Sequence, residues 1–176
     1  MRLSMRLIQI EAYNNTWPLL FEKEQTLLAS ILSIPGVSIH HIGSTAVPGL
    51  SAKPIIDILI EVEDLLNLDT VNYKFAAIGY ECKGEFGIRE RRFYQKGGDE
   101  RSHHIHVFKS GSQGAVRHIA FKEYLKAHPS VAREYRDLKS SLVKTSNNNI
   151  ELYSEGKCEF VGTHEQLALA WWHNIE

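Results

Sequence analysis

The 176-residue sequence has only two cysteines, Cys82 and Cys158, far apart and forming no CxxC pair. A reducing, cytoplasmic setting is therefore expected, with a bond between the two left open. No apolar run is long enough to span a bilayer, and Met1-Arg2-Leu3-Ser4-Met5-Arg6 lacks the apolar stretch of a signal peptide. Neither a membrane span nor a leader is expected, and Met5 is an alternative start. Net charge is −1, so there is no global electrostatic drive toward nucleic acid or anionic membrane. An aromatic-basic stripe of the kind that tracks nucleic acid is also missing. There is no internal repeat, and no low-complexity tract beyond Asn147-Asn148-Asn149.

What is present fits a packed domain: 43% of residues are hydrophobic and 23% charged. The most informative stretch runs from His40 to Val62. Ile56, Ile58, Ile60 and Val62 alternate with Asp57, Leu59 and Glu61, the pattern of a strand with one face on helices and one face open. Upstream, Gly43-Ser44 ends another apolar stretch. A Gly-Ser turn offers backbone N–H groups and a hydroxyl to phosphate oxygens. A carboxylate on the next strand is placed to hold a divalent cation beside them.

His41-Ile42-Gly43-Ser44-Thr45-Ala46-Val47-Pro48-Gly49-Leu50, followed by Lys53-Pro54-Ile55-Ile56-Asp57-Ile58, resembles the signature of the GrpB family. The likeness continues through Tyr13…Trp17…Phe21…Glu24, His104-Ile105-His106, Phe121…Tyr124-Leu125…Ala127-His128-Pro129 and Tyr153…Lys157, so it covers nearly the whole chain. It implies a nucleotidyltransferase-like fold: a small mixed β-sheet flanked by helices, with a helical C-terminal part, of the α+β class. Residues 1–112 are expected to form the core and 113–176 the helical part packed on it, as one compact unit.

Read in order, residues Leu7 to Ala12 suit a short strand or extended arm. Thr16 is placed to cap a helix reaching Ser33, with Pro18 in its first turn. Pro35-Gly36 closes it, and Val37–Ile42 forms the first core strand. Asp69 is expected to cap a helix through Ala77, before an extended stretch from Tyr80 to Phe86. Arg89–Lys96 and Arg101–Lys109 read as a hairpin around Gly97-Gly98-Asp99-Glu100. With Phe93 assigned to the core, Arg92 would point the same way as His104 and His106. Helices are expected near Ala115–Ala127, Pro129–Lys144, Ile150–Phe160 and Thr163–Trp172. Gly162 is read as the break before the last, and Thr163 with Gln166 as its capping box.

Active nucleotidyltransferases carry a second carboxylate two residues after the first, because only same-face neighbours on a strand can share a metal pair. Here that position is Leu59. Glu61, four residues after Asp57, is roughly 13 Å away along a strand, too far to share one metal. The third-carboxylate strand carries His104 and His106 instead. Asp57, His104 and His106 are therefore the expected metal set, for magnesium or manganese, with zinc also suited to two imidazoles and a carboxylate. Gly43, Ser44 and His41 are expected at the phosphate, and Lys53 or Arg92 against the developing charge. Arg91, Lys122, Lys139 and Lys157 are further candidates for an anion-binding cleft. Trp171-Trp172 reads as core packing or an interface rather than a ligand platform.

Three functions follow as expectations. One is a metal-dependent nucleotidyltransferase-like enzyme using a nucleotide and an unknown small-molecule acceptor. Another is a degenerate member that binds a nucleotide or phosphometabolite without turnover. The third is a hydrolase at a His/His/Asp metal centre.

Overall fold

The computed structural model describes residues 7–176. The reading of Met1 to Arg6, Met5 included, lies outside these residues. Helix α1 (Trp17–Ile31) precedes β1 (Ser38–Ile42), a 3₁₀ turn (Ser44–Ala46) and β2 (Ile56–Val62). Then come α2 (Leu65–Asp69), α3 (Asn72–Ala77), β3 (Tyr80–Cys82), β4 (Arg92–Lys96) and β5 (His103–Lys109). Helices α4 (Gln113–Ala127), α5 (Pro129–Thr145) and α6 (Ile150–Ile175) complete the chain. The five strands form one mixed sheet in the order β1-β2-β5-β4-β3. Only β2 and β5 run parallel, pairing Asp57 with His104 and Leu59 with His106.

Alternation along β2 and β5 divides the sheet into two faces. Ile56, Ile58, Ile60 and Val62 join Ile105, Val107 and Tyr94 in a core closed by Leu28 of α1, Leu68 of α2 and Phe75 of α3. Each fully buried aliphatic side chain there contributes roughly 1.5–3 kcal/mol relative to exposure. The other face carries Asp57, His104 and His106, and α4 covers part of it. Leu59, Ile42 and Phe108 pack against Ala115 beneath that helix. The C-terminal helices are tied to the 43–50 loop by Val47, Leu50, Leu125 and Tyr135. Trp171 and Trp172 pack against Ala120, Tyr124 and Ala168.

Several local expectations give way. Residues 7–12 contribute one bridge, Glu11 to Ala52, rather than a strand. Thr16 stands before α1, but its hydroxyl is spent on Asn14 Oδ1 at 2.8 Å and caps nothing. The α2 cap is Asp64, which accepts from the Leu66 N–H; Asp69 ends that helix and pairs with Arg92. The extended stretch after Gly79 stops at Cys82, and the chain loops from there to Arg91. Gly162 breaks nothing: α6 runs unbroken for 26 residues, so Thr163 and Gln166 are helix-interior positions. Asn149 is the cap that starts this helix, accepting from the N–H groups of Glu151 and Leu152. Cys82 and Cys158 are unpaired and exposed. Among the described residues, no helix is long and apolar enough to cross a membrane.

Candidate functional site

Asp57 enters the site from β2 and is met from β5. His104 Nδ1 and His106 Nε2 each lie 3.5 Å from its Oδ1. Burial alone would raise this carboxyl's pKa. Hydrogen bonding and charge from the two imidazoles outweigh it and hold Asp57 well below the usual range, as a carboxylate. Its other oxygen faces Gly43, where a Cβ would sit 2.8 Å from Oδ2. Gly43 has φ 72°, so β1 turns into the 3₁₀ segment through a conformation that suits glycine. His41, expected at the phosphate, instead lies opposite Ile58 on the α1 side of the sheet, stacked on Phe21 and 2.9 Å from Thr45 Oγ1. Burial pulls its pKa down to about 4, against the pull of Asp57, so the ring is neutral at pH 7. His40, opposite Leu59 on the face that carries Asp57, pairs with Glu61 at 3.0 Å.

Asp57, His104 and His106 converge. The buried guanidinium of Arg91 lies 3.4 Å from His106 Nδ1. Arginine can only donate, so Nδ1 accepts and the ring proton sits on Nε2, facing Asp57. Among the described residues, no group of three or more His, Cys, Asp and Glu side chains is arranged to hold a metal ion. The three expected residues thus come together as a carboxylate with two imidazole neighbours. On β2 the two further positions of the Asp57 face carry no carboxylate that is turned to it. Leu59 is fully buried, and Glu61 is engaged by His40 and by the Gly111 N–H at 3.0 Å.

The expectation for Arg92 is corrected. Register pairs Phe93 with His106 and Arg92 with Val107, which puts Phe93 and Arg91 on the histidine face and Arg92 on the opposite one. There Arg92 grips Asp69 through two bonds of 2.7 and 2.8 Å. The expectation failed because Phe93 is buried on the polar side of the sheet, while Tyr94 fills the core.

On the other flank of Asp57, Ser44 meets α5 and α6. Lys139 Nζ donates to Ser44 Oγ at 2.9 Å and to the Ser51 carbonyl. This lysine is only 3% exposed. Burial, then Lys157 and Lys53, brings its pKa down to about 7. Burial also lowers the Lys157 pKa, with Asp57 opposing. Lys53 and Lys157 both lie over the Tyr153 ring, at 4.6 and 4.5 Å from its centroid, and Lys139 lies 4.5 Å over Tyr135. Lys53 therefore joins a cluster of three lysines backed by two tyrosines. Lys122 instead pairs with Glu123 at 2.8 Å. The tyrosines and His118, which packs on His106 with centroids 5.2 Å apart, were not singled out for the site from sequence. Two surface clefts, of 860 and 340 Å³, are lined by other residues.

Comparison with known proteins adds the family. The family model for GrpB protein matches residues 7–167. The chain belongs to the GrpB family. A crystal structure of the conserved protein GrpB from Enterococcus faecalis aligns at a TM-score of 0.88 and 38% identity, over 93% of this chain and 99% of that one. UPF0157 protein YqkA of Bacillus subtilis (strain 168) is 41% identical over 94% of this GrpB chain, which spans only 48% of YqkA's length. The terminal uridylyl transferase Cid1 aligns at a TM-score of 0.47 and 16% identity, over 74% of this chain and 41% of that one.

Proposed function

We propose that the chain binds a nucleotide or another phosphorylated small molecule, with its phosphates at Ser44, Lys139, Lys157 and Lys53. The observation that carries this is Lys139. It is buried, close to two further lysines, and donates to neutral oxygens of Ser44 and Ser51. A buried ammonium without a carboxylate on it is costly, and a phosphate replacing those neutral oxygens would offset that cost. Tyr135 and Tyr153 wall the site, and the Gly43-Ser44 turn supplies its floor. The chain's net charge of −1 favours a small anionic ligand over a nucleic acid.

A second reading, nucleotidyl transfer, is favoured by Asp57, held ionised directly beside Gly43. One carboxylate suits a magnesium or manganese ion that arrives with phosphates and keeps most of its waters. Zinc held by Asp57, His104 and His106, and with it the hydrolase reading, would need His106 to give up the Nε2 proton that Arg91 fixes. The ligand-binding reading without turnover is therefore the conclusion, and transfer is its extension.

The test is calorimetric titration of pyrophosphate and ATP, with and without magnesium. Binding is expected in the wild type and a loss of at least about tenfold in Lys139→Met, the scale of a charge-assisted hydrogen bond. Unchanged affinity in that variant would end the proposal. Release of pyrophosphate from ATP, abolished in Asp57→Asn, would add the transfer activity.

A further inference from the structure

Between β3 and β4 the chain holds Phe86 in an unusual way. The residue is 58% exposed and its backbone is left-handed at φ 47°, a strained state for a bulky L-residue. Glu90, at φ 61°, is strained in the same sense, and its N–H donates to the Glu85 carboxylate at 2.8 Å. Arg91 fastens the loop from below. Its guanidinium donates to the Phe86 carbonyl at 2.7 Å and the Glu85 carbonyl at 3.2 Å, besides reaching His106. Burying the Phe86 ring would gain hydrophobic stabilisation, but the loop is fastened with the ring outside.

The exposed ring is also continuous with the site. Phe86 lies parallel on Phe93, at 8° with centroids 5.1 Å apart. Phe93 in turn meets His104 and His106 edge-on, with centroids at 5.3 and 5.1 Å. Those two imidazoles flank Asp57. In the sheet order, the Ser44 side belongs to β1 and Phe93 to β4. Three strand spacings, about 14 Å, separate them. A phosphate chain and a planar ring on one ligand can span that distance, with Asp57 between.

We propose that Phe86, backed by Phe93, is the stacking surface for a planar heteroaromatic ring on the ligand whose phosphates lie at Ser44 and Lys139. This rests on the phosphate reading above and narrows it: the ligand is a nucleotide, rather than a sugar phosphate or an inorganic polyphosphate. Stacking favours a flat ring of any identity, so this surface provides ring recognition and not base selection.

The experiment titrates ATP, pyrophosphate and ribose 5-phosphate, with magnesium, into the wild type, Phe86→Gly and Phe86→Trp. ATP is expected to bind the wild type more tightly than either ring-free probe. Phe86→Gly is expected to weaken ATP about tenfold, to leave pyrophosphate within about twofold, and Phe86→Trp to keep ATP affinity. Glycine relieves the positive φ, so the melting temperature of Phe86→Gly is expected not to fall, which separates lost stacking from lost folding. Equal affinity for ATP and pyrophosphate, or unchanged ATP affinity in Phe86→Gly, overturns the ring subsite while leaving the phosphate site standing. A wild type that binds neither probe overturns both.

Discussion

At Asp57 two forces oppose each other: burial favours the neutral acid, and the imidazoles of His104 and His106 favour the carboxylate. The imidazoles prevail. Their hold depends on where the carboxylate stands, and Gly43 sets that position from the next strand. A methyl group at Gly43 would sit 2.8 Å from Oδ2 in a backbone at φ 72°. Gly43→Ala is therefore expected to cost about 1–2 kcal/mol from the backbone alone and to push Asp57 off its histidine partners. Urea denaturation reads the first effect and pyrophosphate titration the second; a variant matching wild type in both would refute the coupling. Asp57, His104 and His106 were legible as neighbours, because β2 and β5 alternate cleanly and the family resemblance orders the strands. Arg91 and Arg92 were not separable, because a one-residue slip exchanges their faces and Phe93 is buried on the side expected to be open.

The missing second carboxylate is explained by helix packing. Position 59 faces the same side as Asp57, but α4 has settled over it, and Leu59 is 0% exposed among Ile42, Phe108 and Ala115. The approach is tight enough that a Cβ at Gly114 would overlap the Phe108 ring. Leu59→Asp thus does not restore a two-carboxylate metal site. It buries a carboxylate without partners, at an expected cost of several kcal/mol. The expected result is loss of the cooperative melt. A well-folded Leu59→Asp protein with gained metal affinity would contradict this account of the helix. The same element scale explains why the last helix was misread as two. Gly162 looked like a stop and Thr163 with Gln166 like a cap, but both lie inside one continuous helix that starts at the Asn149 cap. Packing of Phe160, Val161, Leu169, Trp171 and Trp172 along both halves of α6 carries the helix through the glycine.

At the scale of the whole molecule, folding gathers Lys53, Lys139 and Lys157 from a loop, α5 and α6 beside one serine. Lys139 and Lys157 were legible as candidates for an anion-binding cleft and Lys53 as a candidate at the phosphoryl charge, but their meeting beside Ser44 was not, since the three are distant in sequence. The gathering has a thermodynamic signature. The ordinary lysine pKa of 10.5 applies to Lys139 in the unfolded chain, while burial and its neighbours bring it to about 7 in the folded one. Between those values the unfolded state binds the extra proton, so stability rises with pH, by at most ~1.4 kcal/mol per unit from this group. Below about pH 7 both states carry the proton, and its burial cost is present in full. In urea titrations from pH 7 to 9, wild-type stability is expected to climb relative to Lys139→Met. Saturating pyrophosphate should flatten the difference, because a bound anion returns the Lys139 pKa toward its ordinary value. Parallel pH profiles for the two proteins would show that Lys139 keeps its proton in the folded chain, and the costly buried ammonium on which the phosphate reading rests would then be an ordinary, well-solvated lysine.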